Sequence, residues 1–381
     1  MSRIVELIER YCPDGVGWKT IQDICKNIVS GGTPLTSRTD YYNGTIPWLR
    51  TQEVDWKYVF DTEIKITEEG LKNSSVKLIP VNCVIVAMYG ATAAKVAINK
   101  IPLCTNQACC NLEIDETIAN YRYVYYWLSN NYKHIKSLGE GSQSNINGQK
   151  IKSYGIPIPP LEVQEEIVKT LDLFTELEAE LEAELEARKT QYTYYRDSLL
   201  HFEGKDVEWK MLGEVYEFKY GTGNTIPTVG GEFPVYGSNG IVGTHNEYNS
   251  EDSPVIGHIG AYAGIVNWAP GKHFVTYNGV ICRLKDASVH PRYAYHQLLV
   301  QDFRSKANSG SQPFVSYSML NKVEIPVPSF TEQESIAEVL DKFDALVNDI
   351  SIGLPAEIEG RRKQYEYYRN RLLTFNMFNG S

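Results

Sequence analysis

Two patterns of apolar positions alternate along the chain. From about residue 15 to 158, and again from 207 to 327, short apolar runs such as Asn82-Cys-Val-Ile-Val-Ala87, Pro254-Val-Ile256 and His273-Phe-Val-Thr276 are punctuated by Gly, Asn and Pro. That is the text of short strands joined by turns. Beyond each block the period becomes helical. Ile167, Leu171, Phe174, Leu177, Leu181 and Leu185 lead on to Tyr192, Tyr195 and Leu199. Ile336, Leu340, Phe343, Val347, Ile350, Leu354 and Ile358 lead on to Tyr365, Tyr368 and Leu372. Each series predicts a helix of about 40 residues, roughly 60 Å long. Pro355 clashes inside an unbroken helix, so the second is expected to kink or restart near Gly353-Leu-Pro355. A narrow apolar stripe on so long a helix cannot be buried against its own globular part along its full length. The two helices are therefore expected to pack on each other as an antiparallel coiled coil, the two halves of the chain being related by a pseudo-twofold.

The same text occurs twice. Ile156-Pro-Ile-Pro-Pro-Leu-Glu-Val-Gln164-Glu-Glu-Ile167 returns, 169 residues on, as Ile325-Pro-Val-Pro-Ser-Phe-Thr-Glu-Gln333-Glu-Ser-Ile336. Leu171-Asp172 and Phe174 return as Leu340-Asp341 and Phe343. Arg188-Lys-Thr-Gln191 through Tyr195-Arg196 and Leu199-Leu200 return as Arg362-Lys-Gln364 through Tyr368-Arg369 and Leu372-Leu373, now at an offset of 173 near the end of the series. The second copy has thus gained four residues, close to one helical turn. Weaker echoes are Gly141-Ser-Gln143 with Gly310-Ser-Gln312, Arg122-Tyr123 with Arg292-Tyr293, Gly90-Ala91 with Gly260-Ala261, and Trp18-Lys19 with Trp209-Lys210. The last pair sets Ile4–Ile8 opposite Tyr195–Leu199, so the N-terminal segment is expected to complete the second helix, with the two chain ends close together.

Composition changes this picture at a few points. At 381 residues, 43% apolar, the chain can bury two or three sizeable cores. The net charge of −10 argues at first against an acidic partner, but residues 161–187 hold ten carboxylates against Lys169 alone. The globular parts are nearly neutral, and screening over about 8–10 Å lets local Lys and Arg bind phosphates all the same. The N-terminus, MSRIVELIER, lacks the apolar stretch of a signal peptide, and Val81–Ile98 reads as buried strands rather than a membrane span; a cytoplasmic protein is expected. Seven cysteines with no CxxC pair offer neither a disulfide framework nor a zinc ribbon. Gly15-Val-Gly-Trp-Lys19-Thr20 lacks phosphate-loop spacing, and Gly237-Ser-Asn-Gly240-Ile-Val-Gly243 reads as turn glycines. Pro159-Pro160 lacks the Asn or Asp of an amino-methyltransferase motif. His258, His273 and His290 stand without ligands at metal spacing. No catalytic residue, metal site or cofactor site is expected.

The Ile-Pro-Ile-Pro-Pro-Leu…Gln-Glu boundary, the Leu-Asp-x-Phe and Glu-rich helix after it, and the closing Arg-Lys…Tyr-x-Tyr-Tyr-Arg…Leu-Leu, all present twice, resemble the specificity (S) subunit of type I restriction-modification enzymes. Ser30-Gly-Gly-Thr-Pro34 and Ile46-Pro47-Trp48 add to the resemblance, which spans almost the whole chain. It implies an α/β fold: two β-rich α/β target-recognition domains in tandem, separated by the two long helices. The expected boundaries are 1–158 for an N-terminal helix and first recognition domain, 159–203 for the first long helix, 204–327 for the second recognition domain and 328–381 for the second helix. It further implies a non-catalytic subunit bound to double-stranded DNA, with two methyltransferase subunits docked on the helices and a restriction/translocase subunit joining them. AdoMet, ATP and Mg²⁺ would belong to those partners. The second module departs from the first in having Tyr220-Gly-Thr-Gly-Asn224 in place of Ser-Gly-Gly-Thr-Pro, and it lacks the Pro-Trp pair, so the two domains are expected to read different sequences.

Base edges are read by amide, guanidinium or hydroxyl groups on loops that can approach a groove, and phosphates by Lys, Arg, Ser or Thr. These criteria select Arg50, Gln52, Lys95, Asn106, Gln107, Ser142, Gln143 and Asn145 in the first module. In the second they select Asn224, Ser238, Asn239, Tyr262, Asn278, Ser311 and Gln312. The competing role for any of them is to cap a turn. The tyrosines at the helix ends (Tyr192, Tyr194, Tyr195; Tyr365, Tyr367, Tyr368) are expected to pack helices or dock the methyltransferase rather than stack on bases. Two other functions stay open on sequence alone: a nucleic-acid methyltransferase in its own right, against which the missing motifs count, and a coiled-coil scaffold without readout, which leaves the two diverged globular domains unexplained.

Overall fold

The computed structural model describes residues 2–378 apart from 140–144, 224–225, 228, 308–312 and 350. It divides into two compact units, one made of Met1–Glu180 with Glu359–Ser381 and the other of Leu181–Ile358. Both divisions fall inside helices, Leu161–Leu199 and Leu354–Leu372.

In the first unit a five-stranded sheet runs in the order Cys25–Ser30, Cys109–Ile114, Val84–Ala87, Val96–Asn99, Tyr58–Val59. Its central strands are buried throughout, because successive side chains enter different cores. Val84, Val86, Val96 and Ile98 pack with the helix Tyr121–Asn130 and the start of the long helix. Ile85, Ala87 and Ala97 pack instead with Leu49, Ile79 and Leu103 of a second, four-stranded sheet. Covering on both faces is why these strands read as continuous apolar runs. The second unit repeats the plan with one six-stranded sheet ordered Tyr216–Tyr220, Gly279–Leu284, Ser250–Gly257, Val266–Val275, Phe233–Gly237, Gly240–His245. Ile256, Val280 and Cys282 face its helices; Val255 and Ile281 meet Tyr236 and Val275 on the other side.

Each sheet is attached to its helix by the same contacts. Gln164 is fully buried; its side-chain oxygen accepts from the Asn120 N–H (2.8 Å) and its amide donates to the carbonyls of Pro159 (2.8 Å) and Ile118 (3.3 Å). Gln333, also fully buried, accepts from the His290 N–H (2.8 Å) and donates to the Pro328 (2.8 Å) and Ser288 (3.1 Å) carbonyls. Arg122 and the Tyr126 hydroxyl converge on Asp172, and Arg292 and His296 converge on Asp341. The hydroxyls of Tyr123 and Tyr293 donate to the carbonyls of Pro157 and Pro326, inside two-stranded ribbons that pair Trp18 with Pro157 and Trp209 with Pro326. These contacts give physical content to the repeated residues.

The helices pair within each unit as the tyrosine spacing predicts. In the first, Phe174 meets Tyr368 and Tyr365, and Glu178 meets Arg362 at 2.6 Å. The rising index on one helix against the falling index on the other makes this pair antiparallel. In the second unit Tyr192 and Tyr195 pack on Phe343. The Leu177, Leu181 and Leu185 stripe is only half-buried.

The restart also occurs as expected. One helix ends at Asn348 and the next begins at Leu354, with Pro355 in its first turn, where a missing N–H costs little. A Cβ on Gly353 would lie 2.4 Å from the Ala345 carbonyl oxygen, so only glycine fits there.

The chain ends lie together. The Val16 N–H donates to the Asn376 carbonyl (2.9 Å), and the Phe378 N–H to that of Val16 (2.9 Å). Ile4–Ile8, however, does not extend the last helix. That helix stops at Leu372, and Ser2–Tyr11 forms a separate helix burying Ile4 and Leu7 in a core shared with Leu372 and Leu373. Its amphipathic pattern serves this packing, while Leu373 and Phe375 take the places that Leu200 and Phe202 hold in the other copy.

Candidate nucleic-acid interface

The turns at one end of the first unit are drawn together by the backbone. Gly31 and Gly32 donate to the carbonyls of Cys109 (3.4 Å) and Thr105 (2.9 Å), and a Cβ on Gly31 would sit 2.1 Å from the latter oxygen. This close approach brings the Thr33 hydroxyl onto the Gln107 side-chain oxygen, and the Trp48 indole N–H locks the loop by donating to the Gly32 carbonyl (2.9 Å). The Asn106 N–H donates to Leu49 (2.9 Å), the Thr92 hydroxyl to the Thr51 carbonyl (2.8 Å), and Ile146 to Met88 (2.8 Å). Arg50, Gln52, Lys95, Asn106, Gln107 and Asn145 consequently share one end of the unit. Ser142 and Gln143 lie outside the described residues.

The second unit is built on the same frame. Gly221 donates to Gly279 (2.9 Å), Thr222 to Val275 (3.0 Å), Thr276 to Tyr236 (3.0 Å), His258 to Asn278 (2.8 Å) and Val315 to His258 (2.9 Å). Ser238 and Asn239 form the tight turn between paired Gly237 and Gly240, the latter at φ +79. The carbonyl oxygens of Ser238 and Tyr262 both crowd Gly257, where a Cβ would approach them to 2.5 and 2.3 Å. Ser238, Asn239, Tyr262 and Asn278 are therefore gathered at one end; Asn224, Ser311 and Gln312 lie outside the described residues.

The two ends differ in chemistry. Leu49 and Tyr236 occupy matching places, each accepting from the turn before the last sheet strand (Asn106 or Thr276), so Arg50-Thr51-Gln52 corresponds to Gly237-Ser238-Asn239. Arg50 is engaged by Glu53 (3.4 Å) and Glu63, with the Gln52 amide turned to its guanidinium, and Lys95 by Asp55 (2.5 Å). Both cations are neutralised by neighbours far from them in sequence or across a turn. Gln107, Asn145 and Asn239 are exposed, as is Tyr262. Sequence reasoning passed over Thr33, which holds Gln107, and Tyr277, 43% exposed on the turn beside Asn278. Thr33 stood in the Ser30-Gly-Gly-Thr-Pro34 motif without being assigned a role, and the only signal for Tyr277 was its adjacency to Asn278.

The family described as Type I restriction modification DNA specificity domain matches residues 13–187 and again 204–360. The chain belongs to the type I restriction-modification specificity subunits. Among its relatives, the Type I restriction enzyme EcoR124I/EcoR124II specificity subunit of Escherichia coli is 34% identical over 297 residues, covering 68% of this chain and 72% of that protein. The EcoprrI specificity subunit of the same organism is 30% identical over 352 residues, covering 85% and 87%. A crystal structure of the S subunit from M. genitalium superposes with a TM-score of 0.64 at 18% identity, over 94% of this chain and 96% of that one, a likeness of fold. As a specificity subunit this chain is a non-catalytic DNA-recognition protein. Among the described residues no helix is long and apolar enough to cross a membrane.

Proposed function

We propose that each unit of this specificity subunit reads one half of a bipartite, asymmetric target in double-stranded DNA. The helices dock two methyltransferase subunits and set the unspecified spacer between the halves, and a restriction/translocase subunit joins the cytoplasmic complex. The observation that carries the reading is the pair of loop ends built on one backbone frame but bearing different side chains, Arg50-Thr51-Gln52 in one and Gly237-Ser238-Asn239 in the other. A common frame suits a common ligand, and divergent side chains suit divergent sequences. Docking of one partner twice is supported by Tyr194 and Tyr367, which hold the same place in the repeated helix text and are 69% and 57% exposed. The chain supplies no methyl transfer or cleavage of its own; AdoMet, ATP and Mg²⁺ act on the partner subunits.

Replacing residues 15–158 with the matching segment of a relative, in complex with the methyltransferase subunits, tests this reading. Methylome sequencing is expected to show one half-site changed and the other kept. A change in both halves would show that recognition is shared between the units, and methylation without sequence preference would reduce the chain to a scaffold.

A further inference from the structure

The loop end of the second unit carries a column of aromatic rings. Tyr317 stacks on Tyr220 (centroids 4.0 Å, planes 18° apart), and Tyr220 lies against His258 (4.1 Å, 38°). Tyr277 stands edge-on to His258 (5.3 Å, 89°) and 6.0 Å from Tyr220. Polar contacts pin each member. The Tyr317 hydroxyl accepts from the Tyr220 N–H, His258 Nδ1 lies 3.0 Å from the Val315 carbonyl oxygen, and the Tyr277 N–H donates to Gly223 (2.9 Å). The inner rings are buried or half-buried, whereas Tyr277 keeps 43% of its surface exposed. A large ring left this open, yet braced by its neighbours, contributes less to the core than it offers to a ligand, and its ordering is already achieved before anything binds.

The first unit has Gln107 at this position. Gln107 and Tyr277 each follow the residue, Asn106 or Thr276, whose N–H donates to the end of the strand at Leu49 or Tyr236. The Thr33 hydroxyl fixes the Gln107 carboxamide, and the aromatic column fixes Tyr277. One topological position thus presents an oriented amide in one unit and an oriented aromatic face in the other. An amide reads a base edge by hydrogen bonding; a braced ring reads by packing on a base face at a step that unstacks easily.

Resting on the recognition reading above, we infer that position 107/277 is a principal specificity position of this subunit, with Tyr277 reading its half-site by stacking and Gln107 reading the other by hydrogen bonding. Pyrimidine–purine steps open most readily, so the second half-site contains such a step where Tyr277 lands.

The test uses the full chain in complex with its methyltransferase subunits, reading methylome sequence and affinity for the wild-type target. Tyr277→Ala is expected to weaken target binding roughly ten- to hundred-fold, the range for losing one aromatic–base stack, while the first half-site preference persists. Tyr277→Phe, which keeps the ring and loses the hydroxyl, should bind like wild type. Tyr277→Gln should relax or change preference at one position of the second half-site only. 2-Aminopurine at the proposed step should brighten on binding of wild type and Tyr277→Phe and stay dark with Tyr277→Ala. Folding of each variant is checked by its thermal midpoint, and Phe and Gln, which keep side-chain bulk against His258, carry the test if Ala fails to fold. Unchanged target and affinity in folded Tyr277→Ala or Tyr277→Gln overturns the inference, and equal losses in Phe and Ala overturn stacking. A wild-type complex that methylates without sequence preference overturns the recognition reading itself, an outcome visible before any variant is made.

Discussion

Phe174 lies against Tyr368, ring centroids 5.5 Å and planes 27° apart, and the two residues come from opposite copies of the repeated text. Phe343 and Tyr195 repeat the contact at 5.4 Å and 25° with the copies reversed. Each unit takes its helix start from one copy and its helix end from the other. Sequence repeat and structural unit are therefore out of phase by one helix.

A chain arranged in this way has no privileged starting point. Gly204, at φ +75 with nothing within 4 Å of a built Cβ, is a surface turn suited to new termini, while Val16 and Asn376 already touch. A circular permutant opened at Gly204, with the old ends linked, is expected to fold and to keep the target. Soluble expression, thermal unfolding and methylome sequencing check it; insolubility at every linker length would reject the layout.

The segment Leu177-Glu-Ala-Glu-Leu181-Glu-Ala-Glu-Leu185 advances about 6 Å per four residues, against about 3.4 Å per base pair of DNA. If the helices set the spacer, inserting Leu-Glu-Ala-Glu after Ala187 should preserve both half-sites and lengthen the spacer by roughly one to two base pairs. Four residues nearly complete a turn, so the apolar face stays in phase. An active complex with the original spacer would remove the helices from that role.

Asp341 links the second unit to acid stability. Burial alone would raise its carboxyl, but contacts from His296 and Arg292 outweigh this and hold it at about 2 against an ordinary 3.8. A depressed carboxylate stabilises the fold above the ordinary value, and that contribution disappears as pH falls through about 2. Asp341→Asn should cost about 1–2 kcal/mol near neutrality, after allowance for a side chain one-third exposed, with the gap to wild type closing between about pH 4 and 2. Urea unfolding followed by tryptophan emission, to which Trp268 against Arg292 (4.6 Å) contributes, measures it. A gap independent of pH would place the loss in packing instead.

Gln164 and Gln333 each satisfy one backbone N–H and two carbonyls from full burial. Gln164→Ala or Gln333→Ala leaves those groups without partners and should destabilise its own unit by about 2–3 kcal/mol. Losses under about half a kcal/mol in denaturant titrations would mean that water replaces the amide without penalty.

The sequence made the repeats legible because the residues that make their contacts recur at short fixed spacings: a Gln five residues past a proline, an Asp two residues before a Phe, a Pro at a helix start. Burial on both sheet faces showed in Val84–Ala87 as an unbroken apolar run. Contacts set by strand register were hidden. Arg50 and Lys95 look free in the text, yet sheet pairing of Ile64–Ile66 with Tyr42–Leu49 and the turn at Asp55 bring carboxylates to them. Tyr277 was passed over because nothing in a lone Tyr among strands shows whether its ring points inward. Ile4–Ile8 was misassigned because an amphipathic pattern states which face is buried but not against which neighbour.

The duplicated attachment of sheet to helix has a genetic consequence. The bonds from Gln164 and Asp172 in one unit, and from Gln333 and Asp341 in the other, are the same socket made twice. A crossover between two genes of this kind, with its ends in the stretches encoding these sockets, delivers a whole sheet already fitted to its seat. If each unit reads its own half-site, as proposed, one recombination event then exchanges a half-site while leaving the packed core of the unit intact.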